Sequence, residues 1–195
     1  MTARAGKSRP SYTAIVKELP GERATLRPLA ARDAPALRAI VAKPEVAAWW
    51  GPQDAGFPLE DEPDATRFSV VANGQLIGLI QFTEELDPDY RHAAIDIFLD
   101  PAHHSHGVGT DAVATLVRHL IEDRGHHRIT IDPAADNAPA IRSYEKAGFQ
   151  PVGVMRSSWR DPQGRWRDGL LMELVVTPEE EPEGRRSGRA GEGGP

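Results

Sequence analysis

The chain has 195 residues, a net charge of −6 and 39% apolar residues, which is enough for one domain with an apolar core. It contains no cysteine, which excludes disulfides, thiol catalysis and cysteine-bound zinc. An acidic chain disfavours nucleic-acid binding and favours cationic partners, although mild acidity is also an ordinary solubility feature. No secretory signal and no apolar run near the roughly 20 residues that span a bilayer is present, so we expect a soluble, cytoplasmic protein without a membrane partner.

The two ends of the chain differ in composition from the middle. Residues 1–20 form a basic segment that we expect to be flexible. Residues 177–195, "TPEEEPEGRRSGRAGEGGP", contain no large apolar side chain and cannot contribute to a core, so we expect disorder there. The folded domain is therefore predicted to span residues 21–176.

The first predicted elements are a strand and two helices. The strand lies at "ATLRPL". The helix that follows carries Leu37, Ile40 and Val41 at helical spacing and is broken by Pro44. A second short helix is predicted from Pro44 to Trp50.

Three strands and a long helix follow. Asn73-Gly74 between two apolar runs predicts a β-hairpin. In "HAAIDIFLD" the residues alternate, so that Ile95 lies on one face and Asp96 on the other. Apolar residues at i, i+3, i+4, i+7 and i+8 from position 113 predict an amphipathic helix.

The remaining elements complete a mixed α/β (α+β) pattern. "HRITID" predicts a strand, and "DNAPAIRSYEKAGF" a helix with Asn137 as N-cap and Gly148 as C-cap. A final hairpin is predicted around residues 161–164. The order is βααβββαβαββ, which gives a central mixed sheet of seven strands flanked by about four helices.

The stretch "DPAHHSHGVGTDAV" at residues 100–113 allows three interpretations. His103, His104 and His106 are too closely spaced for one tetrahedral metal shell, so we expect no metal. Gly107 and Gly109 precede a helix, whose unpaired N–H groups suit a pyrophosphate. The third interpretation is an ordinary loop-to-helix junction.

The order of elements, "HSHGVGTDAV" and "NAPAIRSYEKAGF" together resemble the GNAT acetyltransferases over residues 22–175. The resemblance implies a sheet whose central strands splay apart and acetyl-CoA as cosubstrate. In that family a Gln/Arg-x-x-Gly-x-Gly/Ala loop binds the pyrophosphate, and His104, Gly107 and Gly109 match it. His104 departs from the pattern, since Gln or Arg is usual there. The positions implied to bind acetyl-CoA are Phe98, Leu99, His104, His106, Gly107, Val108, Gly109, Thr110, Asn137, Ala140, Tyr144 and Lys146.

Three segments resemble the aminoglycoside 6'-N-acetyltransferases more closely: "AAWWG", "AIDIFLD" and "IDPAADNAPAIRSYEKAGF". The resemblance implies transfer of acetyl to the 6'-amino group of an aminoglycoside-like sugar, with possible use in antibiotic resistance. It implies that Asp96 binds the amine and takes its proton, and that Tyr144 acts as general acid. Trp49 and Asp132 would contact a polycationic substrate.

Each of these residues also has a purely structural interpretation. Asp96 would be a hydrogen-bonded strand residue, although an aspartate between isoleucines is unfavourable in a strand. Tyr144 and Trp49 would be core aromatics, and Asp132 would form a turn before a proline. Two acidic segments would form either an acidic entrance to the site or an ordinary solvated surface; they contain Glu60, Asp61, Glu62, Asp64, Glu84, Glu85, Asp87 and Asp89.

Two other functions fit the same sequence. One is acetylation of a different amine, such as a polyamine, a siderophore precursor or a protein N-terminus. The other is a non-catalytic acyl-CoA sensor, which the unusual His104 favours. A monomer and a homodimer are both compatible with the sequence.

Overall fold

The computed structural model describes residues 17–51, 53–59 and 65–176. Its helices are α1 (Ala34–Val41), α2 (Pro44–Trp50), α3 (Val108–Glu122) and α4 (Ala138–Lys146). Its strands are β1 (Leu19–Pro20), β2 (Thr25–Pro28), β3 (Thr66–Ala72), β4 (Gln75–Glu85), β5 (His92–Leu99), β6 (Arg128–Ile131), β7 (Gln150–Arg160) and β8 (Trp166–Val175). All predicted elements are present in the predicted order.

The strands form one mixed sheet in the order β1-β2-β3-β4-β5-β6-β8-β7. Only β5 and β6 run parallel among the described neighbours. The described sheet has eight strands rather than the seven predicted. The additional strand is β1, whose two residues pair with β2 and bury only Leu19, which is too short for any periodicity to indicate it.

The central strands separate as the resemblance implied. β5 and β6 pair only at Ala93 with Ile129 and at Ala94 with Thr130. β5 then continues to Leu99, while β6 ends at Ile131. A gap therefore opens at the carboxyl ends of these two strands.

The two faces of the sheet are covered by different helices. α3 packs on one face through a cluster that includes Leu116 and Leu120 with Phe68 and Ile95. α1 and α2 pack on the other face through a second cluster, in which Phe98 of β5 is buried. The alternation of β5 sends its side chains to both clusters in turn.

The predicted hairpin turn and N-cap match the structure, whereas the C-cap of α4 is Ala147, one residue before the predicted Gly148. Asn73 and Gly74 have φ of 50° and 75°, the left-handed conformation of a tight hairpin turn. The Asn137 side chain accepts a hydrogen bond from the Ala140 N–H, and Gly148 after α4 has φ of 100°. In residues 17–51, 53–59 and 65–176 we find no helix with the length and apolarity that a membrane span requires.

Candidate active site

Three predicted site residues meet at the gap between β5 and β6. Asp96 lies two positions beyond the last paired residue of β5, and Asp132 lies two positions beyond its partner on β6. In parallel strands these offsets are equivalent, so the two carboxyl groups face the same opening. Tyr144 of α4 is buried close enough for both carboxylates to act on it electrostatically.

The proximity of these groups changes their acidity. Desolvation raises the pKa of Asp132, and the nearby charge of Asp96 raises it further. Burial, followed by the charges of Asp96 and Asp132, raises the pKa of Tyr144. Tyr144 is therefore a neutral phenol at physiological pH, with a proton to donate.

Asp96 also has a neighbour that the sequence interpretation missed. Gln81 lies directly opposite it on β4, and its Nε2 donates to the Asp96 Oδ2 over 3.3 Å. Gln81 is the one polar residue of the run "LIGLIQF", and it is buried. A buried polar side chain in an apolar strand was a usable signal.

The two tryptophans of α2 have different surroundings. Trp50 packs against Phe98 and Phe57, and its Nε1 donates to the Ile97 carbonyl over 3.3 Å. Trp49 is 40% exposed and contacts Trp159 of β7, with ring centroids 6.5 Å apart.

Trp159 was not predicted as a site residue. Its Nε1 donates to the Asp168 carbonyl, which also accepts the Ala135 N–H of the segment that follows Asp132. Trp50, which follows Trp49 in α2, donates its hydrogen bond to the carbonyl of Ile97, the residue after Asp96 in β5. The Trp49–Trp159 pair therefore joins an element on the β5 side of the gap to one on the β6 side.

The predicted phosphate loop forms the start of α3. Gly107 is the N-cap, with φ of 74°, and the N–H groups of Val108, Gly109 and Thr110 begin the helix. A Cβ at Gly109 would lie 3.3 Å from a methyl group of Leu99, so glycine allows α3 to start close to the end of β5. The positive end of the α3 dipole thus lies beside the gap.

The remaining predicted cosubstrate residues lie around this helix start. Thr110 Oγ1 is 2.8 Å from the Ser143 Oγ, which joins α3 to α4. Ala140 packs against the main core, and Lys146 is exposed at the end of α4. The Phe98 side chain is buried against Trp50 and Phe57, so only the backbone of Phe98 is left to contact a ligand.

His104 and His106 do not occupy equivalent positions. The His104 Nε2 is 3.2 Å from the Leu99 carbonyl, so this nitrogen donates when it carries the proton. The His106 carbonyl accepts a hydrogen bond from Arg23, whose guanidinium also lies against Gly107. No local pattern indicated that Arg23 lies beside this loop, since it comes from the turn before β2.

Asp111 fixes that turn to α3. Its carboxylate accepts hydrogen bonds from the N–H groups of Glu22, Arg23 and Ala24. A Cβ on Gly21 would lie 2.5 Å from an Asp111 oxygen, so glycine is required for this close approach. The first turn of α3 thereby positions Arg23 beside the phosphate loop.

The histidines do not assemble into a metal site in the described part of the chain, where no group of three or more His, Asp or Glu could hold an ion. His126 is buried and hydrogen bonded to Glu84. Asp100 caps the turn at Pro101–His103 and pairs with Lys43, so its carboxylate has a structural role.

The predicted acidic entrance is wrong for Glu84. This residue pairs with Ala93 at the start of β5, the end of the strand opposite the gap. Its carboxylate is held by Arg124 and His126 rather than facing a substrate. Residues 60–64 lie outside the described residues.

The chain belongs to the GNAT acetyltransferases, since residues 23–150 match the family described as "Acetyltransferase (GNAT) domain". Its fold agrees with this assignment. The protein is accordingly an N-acetyltransferase that uses acetyl-CoA as cosubstrate.

Among curated proteins it is similar to the aminoglycoside N(6')-acetyltransferase type 1 of Klebsiella pneumoniae. The two are 31% identical over 154 residues, which cover 67% of this chain and 76% of the relative. It is also similar to the [ribosomal protein bS18]-alanine N-acetyltransferase of Escherichia coli, at 27% identity over 113 residues, 56% of this chain and 71% of that protein.

Among solved structures it is similar to the aminoglycoside acetyltransferase AAC(6')-Ib in complex with coenzyme A and kanamycin. The TM-score is 0.65 at 26% identity, over 78% of this chain and 94% of that chain. The spermidine N-acetyltransferase of Vibrio cholerae has a TM-score of 0.69 at 23% identity, over 78% of this chain and 95% of that one, and shares the fold.

Proposed function

We propose that this acetyltransferase transfers acetyl to the 6'-amino group of an aminoglycoside-like aminosugar. The observation that carries the proposal is the pair of carboxyl groups, Asp96 and Asp132, that face one gap, with the Trp49–Trp159 contact joining elements on its two sides. Two carboxylates suit an acceptor with more than one amino group, and an indole face suits a sugar ring or an organic cation.

The chemistry assigns Asp96 and Tyr144 different tasks. An amine attacks the thioester carbonyl only when neutral, so Asp96 binds the ammonium and takes one proton. The new C–N bond forms as the C–S bond breaks, and the Tyr144 hydroxyl gives its proton to the departing thiolate. The nitrogen then gives up its second proton, which returns the Tyr144 phenolate to the phenol, and Asp96 releases its proton to solvent. Because the pKa of Tyr144 is raised, its hydroxyl stays protonated until the thiolate departs.

The start of α3 holds the cosubstrate in this proposal. The N–H groups of Val108, Gly109 and Thr110 face the pyrophosphate, and the helix dipole adds to their attraction. Arg23 supplies a full positive charge beside the same loop. A guanidinium near the positive end of a helix dipole is repelled by it. An anion bound between the guanidinium and the helix N-terminus attracts both and so offsets this repulsion.

The sugar class is favoured over other amines by two comparisons. The relatives that carry an aminoglycoside N-acetyltransferase name match at 31% identity, and a solved AAC(6')-Ib complex contains kanamycin. A polyamine is the second candidate, because the paired carboxyl groups would also hold a linear diamine.

We expect purified protein to release thiol from acetyl-CoA when kanamycin or tobramycin is added. Spermidine and a short peptide with a free N-terminus, at the same concentration, serve as competing acceptors in the same spectrophotometric assay. Turnover confined to spermidine or the peptide would retain the acetyltransferase and refute the sugar assignment. Mass spectrometry of the product then shows whether the 6'-amino group has gained the acetyl.

We expect Arg23→Ala to weaken acetyl-CoA binding by about 10-fold, since one charge-assisted contact to a phosphate is worth about 1.5 kcal/mol or more. Isothermal titration calorimetry with acetyl-CoA measures the two affinities, and the difference between them should be smaller at high salt. Arg32→Ala, at an exposed position just before α1, is the matched control. Equal affinities of the Arg23→Ala and wild-type proteins would remove Arg23 from the cosubstrate site.

A further inference from the structure

We propose that Gln81 is a positioning residue for Asp96 and that Arg67 fixes the orientation of the Gln81 amide. The inference rests on the role proposed for Asp96 and extends it to the residues that hold its carboxylate. Neither Gln81 nor Arg67 needs to touch the substrate for this.

The contact follows from the register of the sheet. Gln81 on β4 and Asp96 on β5 are direct cross-strand partners, so their side chains leave the same face side by side. The Gln81 Nε2 lies 3.3 Å from the Asp96 Oδ2. Gln81 is 9% exposed, whereas Asp96 is exposed, so a buried amide holds a carboxylate that faces the opening.

Arg67 decides which end of the amide faces Asp96. The Arg67 Nε donates to the Gln81 Oε1 over 2.9 Å, and a guanidinium can only donate. The carbonyl oxygen of the amide must therefore point to Arg67, which leaves the NH₂ group for Asp96. A flipped amide would place two donors together and two acceptors together, at a cost on both sides.

Arg67 is held by contacts of its own. Its Nη1 donates to the Pro58 carbonyl over 2.9 Å, and its guanidinium lies 5.9 Å from the centre of the Phe57 ring. Arg38 holds the same segment through the Phe57 carbonyl, at 2.6 Å. The guanidinium of Arg67, which orients Gln81, is thus itself held in place by the segment at Phe57 and Pro58.

The expected consequence is a carboxylate fixed in one rotamer and kept ionised. A donated hydrogen bond favours the charged form of a carboxyl group, whereas the charge of Asp132 across the gap disfavours it. Among the described residues, Gln81 on β4, Asp132 after β6 and Tyr144 on α4 lie close enough to interact with Asp96. Gln81 supports the ionised state against the charge of Asp132, while Tyr144, a neutral phenol, adds no negative charge.

The test replaces the donor by an acceptor of the same shape. Gln81→Glu keeps the partner of Arg67 but removes the donor to Asp96 and brings a second carboxyl group beside it. We expect the pKa of Asp96, followed by carboxyl-carbon NMR, to rise by about one unit or more, equivalent to a 10-fold change in its proton affinity. The acid limb of the kcat/KM profile should move by the same amount.

A second variant and a control make the test independent of folding defects. Gln81→Met has nearly the same volume and no charge, and should raise the Asp96 pKa less than Gln81→Glu does. Gln75→Glu, exposed at the start of β4, adds the same charge and should leave the titration unchanged. Thermal unfolding of all three shows whether the fold is intact.

Two outcomes would overturn the inference. A folded Gln81→Glu protein in which Asp96 titrates as in wild type would show that Gln81 does not support the carboxylate. An equal shift in Gln75→Glu would show a general charge effect. Because the titration needs no turnover, a shifted Asp96 in a protein inactive towards every amine would sustain this inference while refuting the proposed function.

Discussion

Replacing Asp96 with asparagine should lower kcat/KM for the acceptor amine by roughly 100- to 10,000-fold, the range typical of a removed general base. Asparagine has the same shape and can still accept the hydrogen bond from Gln81, but it cannot take a proton from an ammonium group. The loss should appear in kcat as well as in KM, since Asp96 is proposed both to bind the amine and to deprotonate it. Steady-state thiol release with kanamycin at several pH values measures both parameters.

The control for this experiment is the cosubstrate. Acetyl-CoA should bind to Asp96→Asn as it does to the wild type, because the phosphate loop lies at the start of α3 and does not involve the carboxylate. Asp89→Asn, in the exposed turn before β5, should keep full activity. If Asp96→Asn retains activity within a few-fold of wild type, another group removes the proton and the assignment fails.

Replacing Glu84 with glutamine should destabilise the fold by roughly 2–4 kcal/mol, because it removes the negative charge that pairs with the buried His126 and the partly buried Arg124. The Glu84 side chain is only 12% exposed, and the His126 side chain is fully buried against it. His126 Nε2 lies 2.7 Å from the Glu84 Oε1, and Arg124 donates to both carboxylate oxygens. Urea unfolding followed by fluorescence measures the change.

This cluster also predicts how stability depends on pH. Burial alone would raise the pKa of Glu84, but the hydrogen bonds from His126 and Arg124 outweigh it and lower the pKa from 4.5 to about 2. A carboxyl group with a lowered pKa in the folded state stabilises it above the unfolded value. The wild type should therefore lose this contribution as the pH falls from about 4.5 to about 2, and Glu84→Gln should lose less over that range.

Glu122→Gln, at the exposed end of α3, is the matched control and should leave stability within about 0.5 kcal/mol of wild type. A Glu84→Gln protein as stable as this control would mean that solvent or a rearranged Arg124 replaces the lost charge. The same result would remove Glu84 as the cause of any acid sensitivity.

The sequence predicted the features that are determined by residues close together along the chain. The Asn73-Gly74 turn, the Asn137 cap and the alternation around Asp96 are local signals, and all three match the structure. The opposition of Asp96 and Asp132 also required the strand order, which the family resemblance supplied. Residue spacing alone does not determine which strands become neighbours.

The missed residues depend on contacts across long sequence separations. Trp159 contacts Trp49, which is 110 positions away in the sequence, and Arg23 contacts His106, which is 83 positions away. Glu84 shows the opposite error: in the sequence it belongs to an acidic run, but its register on β4 places it beside Arg124 and His126. Charge patterning did not distinguish a solvated carboxylate from a buried one.

The Trp49–Trp159 contact has a consequence for how such an enzyme can diverge. Both rings come from elements outside β5 and β6, the strands that carry or precede the two carboxyl groups. A substitution on α2 or in the β7–β8 hairpin can reshape the proposed acceptor pocket without altering the register that aligns Asp96 with Gln81. Acceptor preference and proton transfer are thereby separable under selection, so a descendant could acquire a new amine substrate by single substitutions while retaining its chemistry.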